Sequence, residues 1–337
     1  MRGRIDTPLG AVPVVDHRLE AADRLGEVRV RLGLGRMHYT VYPGLYALGE
    51  PDQDSPVLVT ANYKLTFDKL RSRLGGLSAW ILALDTNGIN VWCAAGKGSF
   101  GTENLVTTLQ ALGLERLVRH RRLILPQLGA VGVAGHEVKR ATGFRVIWGP
   151  ILAADLPRFL RAGRRAQPDM RRVRFPLAQR LVLAPMELIP AMKYGLPLGL
   201  ALLLLPGLAG GGSFWDQALA RGLPTALLAL GAIVAGTLVG PALLPWLPGR
   251  AFAFKGLWLG LMLGALAGAW AGAGPRLAGA WLLLAGALTS FSLMNFTGSS
   301  TFTSLSGVKK EMRLFIPLQV ACALAGLGLW AWWVWGP

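Results

Sequence analysis

A chain of 337 residues that is 53% hydrophobic, with a mean hydropathy of +0.44, is too apolar for an ordinary soluble protein. The formal charge of +17 is unevenly placed: residues 176–337 hold only nine of the 35 Lys+Arg and three of the 18 Asp+Glu, so a soluble half precedes a membrane half. Two cysteines, Cys93 and Cys322, far apart and in different halves, exclude a disulfide framework. With no recognisable nucleic-acid module, the basic excess is better read as a membrane-flanking signature than as a nucleic-acid footprint.

Residues 1–36 read as a polar, partly helical lead-in, too charged for a secretory signal. His38 to Leu48 alternates around Pro43-Gly44, which predicts a tight turn between two strands. Apolar runs at Pro56–Ala61, Ala79–Leu84, Leu123–Leu125 and Phe144–Trp148 predict buried strands. Amphipathic stretches near Phe67–Leu74, Glu103–Leu112 and Val133–Ala141, and one after Asp155, predict helices between and after them. Strands alternating with helices make residues 37–163 a doubly wound, Rossmann-like α/β domain with a largely parallel sheet. Ligands of such sheets bind beyond the carboxyl ends of the strands. That rule selects Thr60, Asn62, Thr86, Gln127 and Gly129 as crevice residues, with His136, at a helix start beside Gly-rich turns, as a further contact.

The stretch Asn90-Val91-Trp92-Cys93-Ala94-Ala95-Gly96-Lys97-Gly98 follows one of these strand ends. Asn90 is a good N-cap, and Gly98 supplies the left-handed residue that ends a helix of about two turns. Cys93 then lies in the first turn, where the positive helix end stabilises negative charge. Lys97 adds a cation four residues on, on the same face. Ala94, Ala95 and Gly96 leave little bulk beside the sulfur, so a large flat group can approach. A thiol in this setting points to a soft-metal ligand, although a free cysteine without such neighbours is usually an inert core residue.

Other motifs carry less. Gly96-Lys97-Gly98-Ser99-Phe100-Gly101 spells the dinucleotide fingerprint, but its glycines follow a helix, and Glu115 is too near to be the ribose-binding acid. His17, His38 and His120 are surface or hydrogen-bonded residues on this reading, and Cys322, among Val320, Ala321 and Ala323, is a packing residue. Residues 164–190 form a basic linker, with Arg164, Arg165, Arg171, Arg172 and Arg174, and an amphipathic approach to the bilayer. Residues 191–337 form an all-α transmembrane domain with five spans near 191–208, 224–246, 252–272, 277–296 and 314–335. Arg250, Lys255, Lys309, Lys310 and Arg313 fall in loops on one side and Arg221 and Arg276 on the other. The positive-inside rule then puts residues 1–175 in the cytoplasm and the C-terminus outside, beside a belt of Trp330, Trp332, Trp333 and Trp335. Asn295, Thr297, Ser299, Ser300, Thr301 and Thr303 make a polar cytoplasmic loop.

The run Asn90–Lys97 resembles the signature of the mercury-methylating corrinoid proteins. So do Tyr39-Thr40-Val41, Pro43–Tyr46, Val57–Lys64, Asp85-Thr86, Leu125–Ala130, His136-Glu137-Val138 and Ser304–Met312, with a departure at Val131, where that family has proline. The resemblance implies a base-off cobalamin held by the Asn90–Lys97 helix and the crevice residues, with Cys93 as lower axial ligand of the cobalt. It implies an inner-membrane methyltransferase that passes a methyl group from methyl-Co(III) to Hg(II), forming methylmercury. The methyl donor would be folate-linked, and the electron donor a small ferredoxin-like partner with two [4Fe–4S] clusters. Two other readings stay open: a corrinoid methyl carrier of carbonyl-branch carbon metabolism, and a non-enzymatic membrane thiol sensor of heavy metal.

Overall fold

Seven strands, β1 (Gly3–Thr7), β2 (Gly10–Val15), β3 (Gly44–Leu48), β4 (Val57–Ala61), β5 (Ala79–Leu84), β6 (Arg122–Leu125) and β7 (Arg145–Trp148), form one sheet in the computed structural model of the chain. The structure describes residues 3–299 and 305–336. Strand order is β1-β2-β3-β5-β4-β6-β7. The four neighbours β5-β4-β6-β7 are mutually parallel, whereas β3 runs antiparallel to β5, β2 parallel to β3 and β1 antiparallel to β2. The sheet is therefore mixed, and the expectation of a largely parallel one holds for its central and far strands only.

Two elements near the start differ from the expectation. Residues 3–15, expected as lead-in, pair as a hairpin on the sheet, followed by helix α1 (Ala21–Arg31). His38–Leu48 supplies one strand and not two: Gly44 opens β3, and Thr40 makes an isolated bridge to Tyr63.

Alternation along the strands divides the core between the two faces of the sheet. Val57, Val59, Leu82, Leu84, Leu123 and Leu125 pack with α3 (Val91–Lys97), α4 (Thr102–Leu112) and α5 (Gly135–Thr142). Leu58, Ile81, Ala83 and Ile124 face the other way, toward α2 (Lys64–Arg71) and α6 (Leu156–Arg161). Helices on both faces make the parallel part doubly wound. The chain leaves β4 for β5 on one side and later reaches β6 on the other, so the switch point lies between β4 and β6.

A partly buried ion network ties α1 to α2. The Asp23 carboxylate meets Lys64 Nζ at 2.5 Å and the Arg71 guanidinium at 2.7 Å, and Asp68 meets the same two cations at 2.6 and 2.8 Å. Burial alone would raise the Asp23 pKa. Hydrogen bonds from Lys64, Arg71 and the Glu20 N–H outweigh that and hold it at about 2, below the ordinary 3.8. Burial likewise opposes the charge on Lys64, but its bonds to Asp23 and Asp68 prevail and raise its pKa. A depressed carboxyl pKa stabilises the fold above the unfolded value and loses that contribution as pH falls through the folded value. We expect about 2 kcal/mol to be lost between roughly pH 4 and pH 2. Thermal unfolding of the detergent-solubilised chain checks this: Asp23→Asn should be the less stable protein at pH 7, and its deficit should shrink across that window. A deficit that stays constant to pH 2 would contradict it.

The described residues divide into two units, Met1–Val30 with Leu34–Arg174, and Arg31–Gly33 with Phe175–Pro337. In the second, five helices are long and apolar enough to cross a membrane: Leu177–Leu208, Phe214–Leu243, Phe252–Trp270, Pro275–Gly298 and Ser306–Trp335. The first helix starts at Leu177, well before the expected 191, and continues through Pro185, Pro190 and Pro197. Close approach of the third and fourth spans requires glycine. A Cβ at Gly260 would stand 2.3 Å from the Ala285 carbonyl oxygen, and one at Gly256 2.6 Å from that of Thr289.

Two expectations about this unit change, and a third falls partly outside the described residues. Lys255 is inside the third span, where its ammonium donates to the carbonyls of Leu244 (2.8 Å) and Leu247. Trp330 is buried at 3% exposure, so only Trp332 and Trp335, at 48% and 45%, are exposed in the manner of a belt. Of the polar loop, Ser300, Thr301 and Thr303 lie outside the described residues, as does Ser304.

Candidate functional site

Seven residues are too few for a helix to persist by itself, so α3 depends on what holds it. Asn90 caps it as the sequence suggests: its side-chain oxygen accepts from the Cys93 N–H at 2.9 Å. Gly98, with φ of 88°, closes the other end and donates its N–H to the Ala95 carbonyl. Just before Asn90, Asn87 and Gly88 both take left-handed backbone, with φ of 54° and 68°. The helix thus stands between two sharp turns.

Its inner face is Val91, Ala94 and Ala95, all buried in the core. Under that face run Phe100, fully buried, and the loop Gln127–Gly132 that follows β6. A Cβ on Gly129 would lie 2.6 Å from the Phe100 ring, and one on Gly132 only 2.3 Å from the Phe100 carbonyl oxygen and 3.0 Å from Ala95 Cα. The outer face carries Cys93 and Trp92, both partly exposed, with Gly96 and Lys97 exposed. The thiol therefore stands at the carboxyl-end pole of the sheet, flanked by a position without a side chain and by a cation.

The expected crevice residues separate into two groups. Asn62, Thr86 and Thr60 are buried at 4%, 0% and 3% exposure, below the surface and not on it. The Asn62 side-chain oxygen accepts from Thr86 N–H (3.0 Å), the Thr86 hydroxyl (2.9 Å) and Gly88 N–H (3.1 Å), and its amide donates to Asp85 (3.1 Å). Asn62 and Thr86 consequently build the turn that launches α3. Gln127 Oε1 accepts from Arg171, and Gly129 is packed beneath Phe100. His136 does start α5, but its side chain is 81% exposed beside Glu137.

Sequence reading missed Asn104, whose amide bonds to carbonyls on both sides of α3. Its partners are 19 and five residues away, so no local pattern marks it. Lys64 and Arg71 were likewise unread as partners of Asp23, 41 and 48 residues distant.

The donor set can be tested against the implied cofactor. Among the described residues no group of three or more His, Cys, Asp or Glu side chains could hold a metal ion. A bare ion needs such a group. A metal already held in a macrocycle asks fewer donors of the protein, and the partly exposed Cys93 thiol, beside the exposed Gly96, could supply one. The residues fit a corrinoid better than a free cation.

Comparison with known proteins bears on the same region. The sequence model of the family described as CO dehydrogenase/acetyl-CoA synthase delta subunit matches residues 35–160, ending before the first candidate span. The gamma subunit of the acetyl-CoA decarbonylase/synthase complex of Methanopyrus kandleri is 36% identical over 122 residues, 36% of this chain and 26% of that protein. Gamma subunit 2 of Methanosarcina thermophila is 35% identical over 148 residues, 42% of this chain and 31% of the relative. The corrinoid/iron-sulfur protein large subunit of Moorella thermoacetica is 32% identical over 120 residues, 35% and 26% of the two chains. The α/β unit is thus similar to subunits of acetyl-CoA synthase systems and to a corrinoid protein among them, while the chain spans only about a quarter of the length of these relatives.

Proposed function

We propose that the chain is a membrane-anchored, corrinoid-dependent methyl-transfer protein whose methyl acceptor is Hg(II). The observation that carries this reading is Cys93, partly exposed on a capped helix at the carboxyl-end pole of a doubly wound sheet. A corrinoid held by Cys93 and the Asn90–Lys97 helix would supply the methyl group, and the electron-rich Cys93 thiolate would suit its transfer to an electrophilic Hg(II).

The chain's own residues provide the setting. Asn90 fixes the first turn and so the direction of the Cys93 side chain. Gly96, one turn further, leaves room for a flat group, and Lys97 keeps positive charge near the sulfur. Asn62 and Thr86 hold the preceding turn rigid from below. The two cysteines do not make the four-cysteine set of a [4Fe–4S] cluster. Electrons would then come from a separate small protein with two [4Fe–4S] clusters, and the methyl group from a folate-linked donor. The five spans anchor the α/β unit to the inner membrane, facing the cytoplasm by the Lys/Arg distribution.

A second reading is favoured by the names of the relatives: a corrinoid methyl carrier whose acceptor is an acetyl-CoA synthase. One experiment separates the two. The full chain, purified in detergent and loaded with methylcobalamin, is offered either Hg(II) as its thiol complex or an acetyl-CoA synthase with CO and coenzyme A. We expect methylmercury and no acetyl-CoA. Acetyl-CoA alone would establish the second reading, and a protein that takes up no visible chromophore would leave a thiol sensor.

A further inference from the structure

One side-chain amide closes the segment that carries the thiol. Asn104, in the first turn of α4, donates from Nδ2 to the Asp85 carbonyl at 2.7 Å and to the Ser99 carbonyl at 2.7 Å. Asp85 directly follows β5, and Ser99 lies two residues past the end of α3. An amide NH₂ has two protons, and both are used, one on each side of the helix. The remaining Asn104 oxygen accepts from the Thr108 hydroxyl at 3.3 Å, which fixes the side chain on its own helix.

The exit is also tied back to the helix, since the N–H of the buried Phe100 donates to the Ala94 carbonyl at 3.1 Å, but Asn104 is the strap, the side chain whose hydrogen bonds reach both the entry and the exit. Entry is through Asn87 and Gly88 and exit through Gly98, all in left-handed backbone. The buried face of α3 is three small or medium side chains, Val91, Ala94 and Ala95. Packing of that kind fixes a helix against its bed more firmly than it fixes sliding along it. The Ser99 hydroxyl is itself buried and without a hydrogen-bond partner, so the exit is held through its carbonyl and not its side chain.

We propose that Asn104 is a positioning residue for Cys93: by joining the entry and exit of α3 it sets where the sulfur stands. This rests on the reading of Cys93 as an axial ligand, and the test separates the two. In the corrinoid-free full chain, hydrogen exchange is measured by mass spectrometry for Asn104→Ala. Exchange across residues 90–99 should quicken about tenfold, the scale of one to two lost hydrogen bonds, while residues 64–71 and 79–84 keep their rates. In cobalamin-loaded protein, cobalt K-edge absorption should show the cobalt–sulfur shell reduced by more than about half, and Asn104→Gln, which keeps the donors, should restore part of it. If Asn104→Ala does not fold, Asn104→Asp, of the same size and without the donors, carries the same comparison. Unchanged exchange across 90–99 overturns the proposal, and so does a rate increase shared equally by all peptides. A parent protein with no cobalt–sulfur shell removes the axial-ligand reading, while the exchange measurement still decides whether the strap exists.

Discussion

Replacement of Cys93 by alanine is expected to abolish methyl transfer to Hg(II), by at least about a hundredfold, while both units remain folded. The two halves of that expectation have separate causes. Cys93 is partly exposed, belongs to neither core cluster of its unit, and contributes to the fold through its backbone N–H, which alanine retains. Alanine is also the better helix former, by up to about 0.7 kcal/mol. Thermal unfolding should therefore shift by no more than a few degrees. Transfer, on the proposed reading, would depend on the Cys93 thiolate, and α3 itself carries no other thiol. Cys93→His retains a donor but a weaker one for this purpose, so methylmercury formation should fall between the parent and the alanine variant. Cys322→Ala should leave it unchanged. Full activity in Cys93→Ala would remove the thiolate from the mechanism.

What the sequence made legible is what short-range chemistry decides. The Ala79–Leu84 strand has the expected bounds because a short, continuous apolar run between polar turns suits a strand buried on both faces. The Asn90 cap was readable because a cap bonds three residues ahead. The hairpin at residues 3–15 escaped because its strands are short and largely exposed, with charges and a proline among the apolar positions. The early start of the first span escaped for a different reason. Pro185, Pro190 and Pro197 argue against a continuous helix, yet the apolar surroundings of such a segment leave its backbone few partners other than itself. The crevice was the least legible part. Thr60, Asn62 and Thr86 do sit at strand ends, but all three are buried, and Asn62 and Thr86 use polar groups on each other inside the turn, a use distinct from lining a crevice. Only side-chain direction distinguishes those uses, and periodicity does not carry it.

The two glycines on either side of α3 should respond in opposite ways. Gly132 lies under the helix, and a Cβ there would meet backbone on every side: the Phe100 carbonyl oxygen at 2.3 Å and Ala95 Cα and carbonyl oxygen at 3.0 Å each. Backbone cannot rotate away as a side chain can, so Gly132→Val must drive the Gln127–Gly132 loop and α3 apart. Overpacking of this kind costs about 1–3 kcal/mol or more. The variant should unfold at clearly lower temperature and exchange rapidly across residues 90–99. Gly96 is on the exposed face, one turn beyond Cys93. A valine there meets solvent in the corrinoid-free protein, so Gly96→Val should keep the parent's thermal stability to within a few degrees. Its branched side chain would, however, project beside the sulfur toward any flat group resting on the helix. A thiolate–metal bond is short, about 2.3 Å for zinc and of that order for cobalt, so a small lift should break it. Cobalt K-edge absorption after loading should then show the sulfur shell weakened or lost in Gly96→Val, with some corrinoid still bound. Gly132→Val at parental stability would mean that α3 is not seated on that loop, and an undiminished sulfur shell in Gly96→Val would mean that the bound group does not pass closely over Gly96.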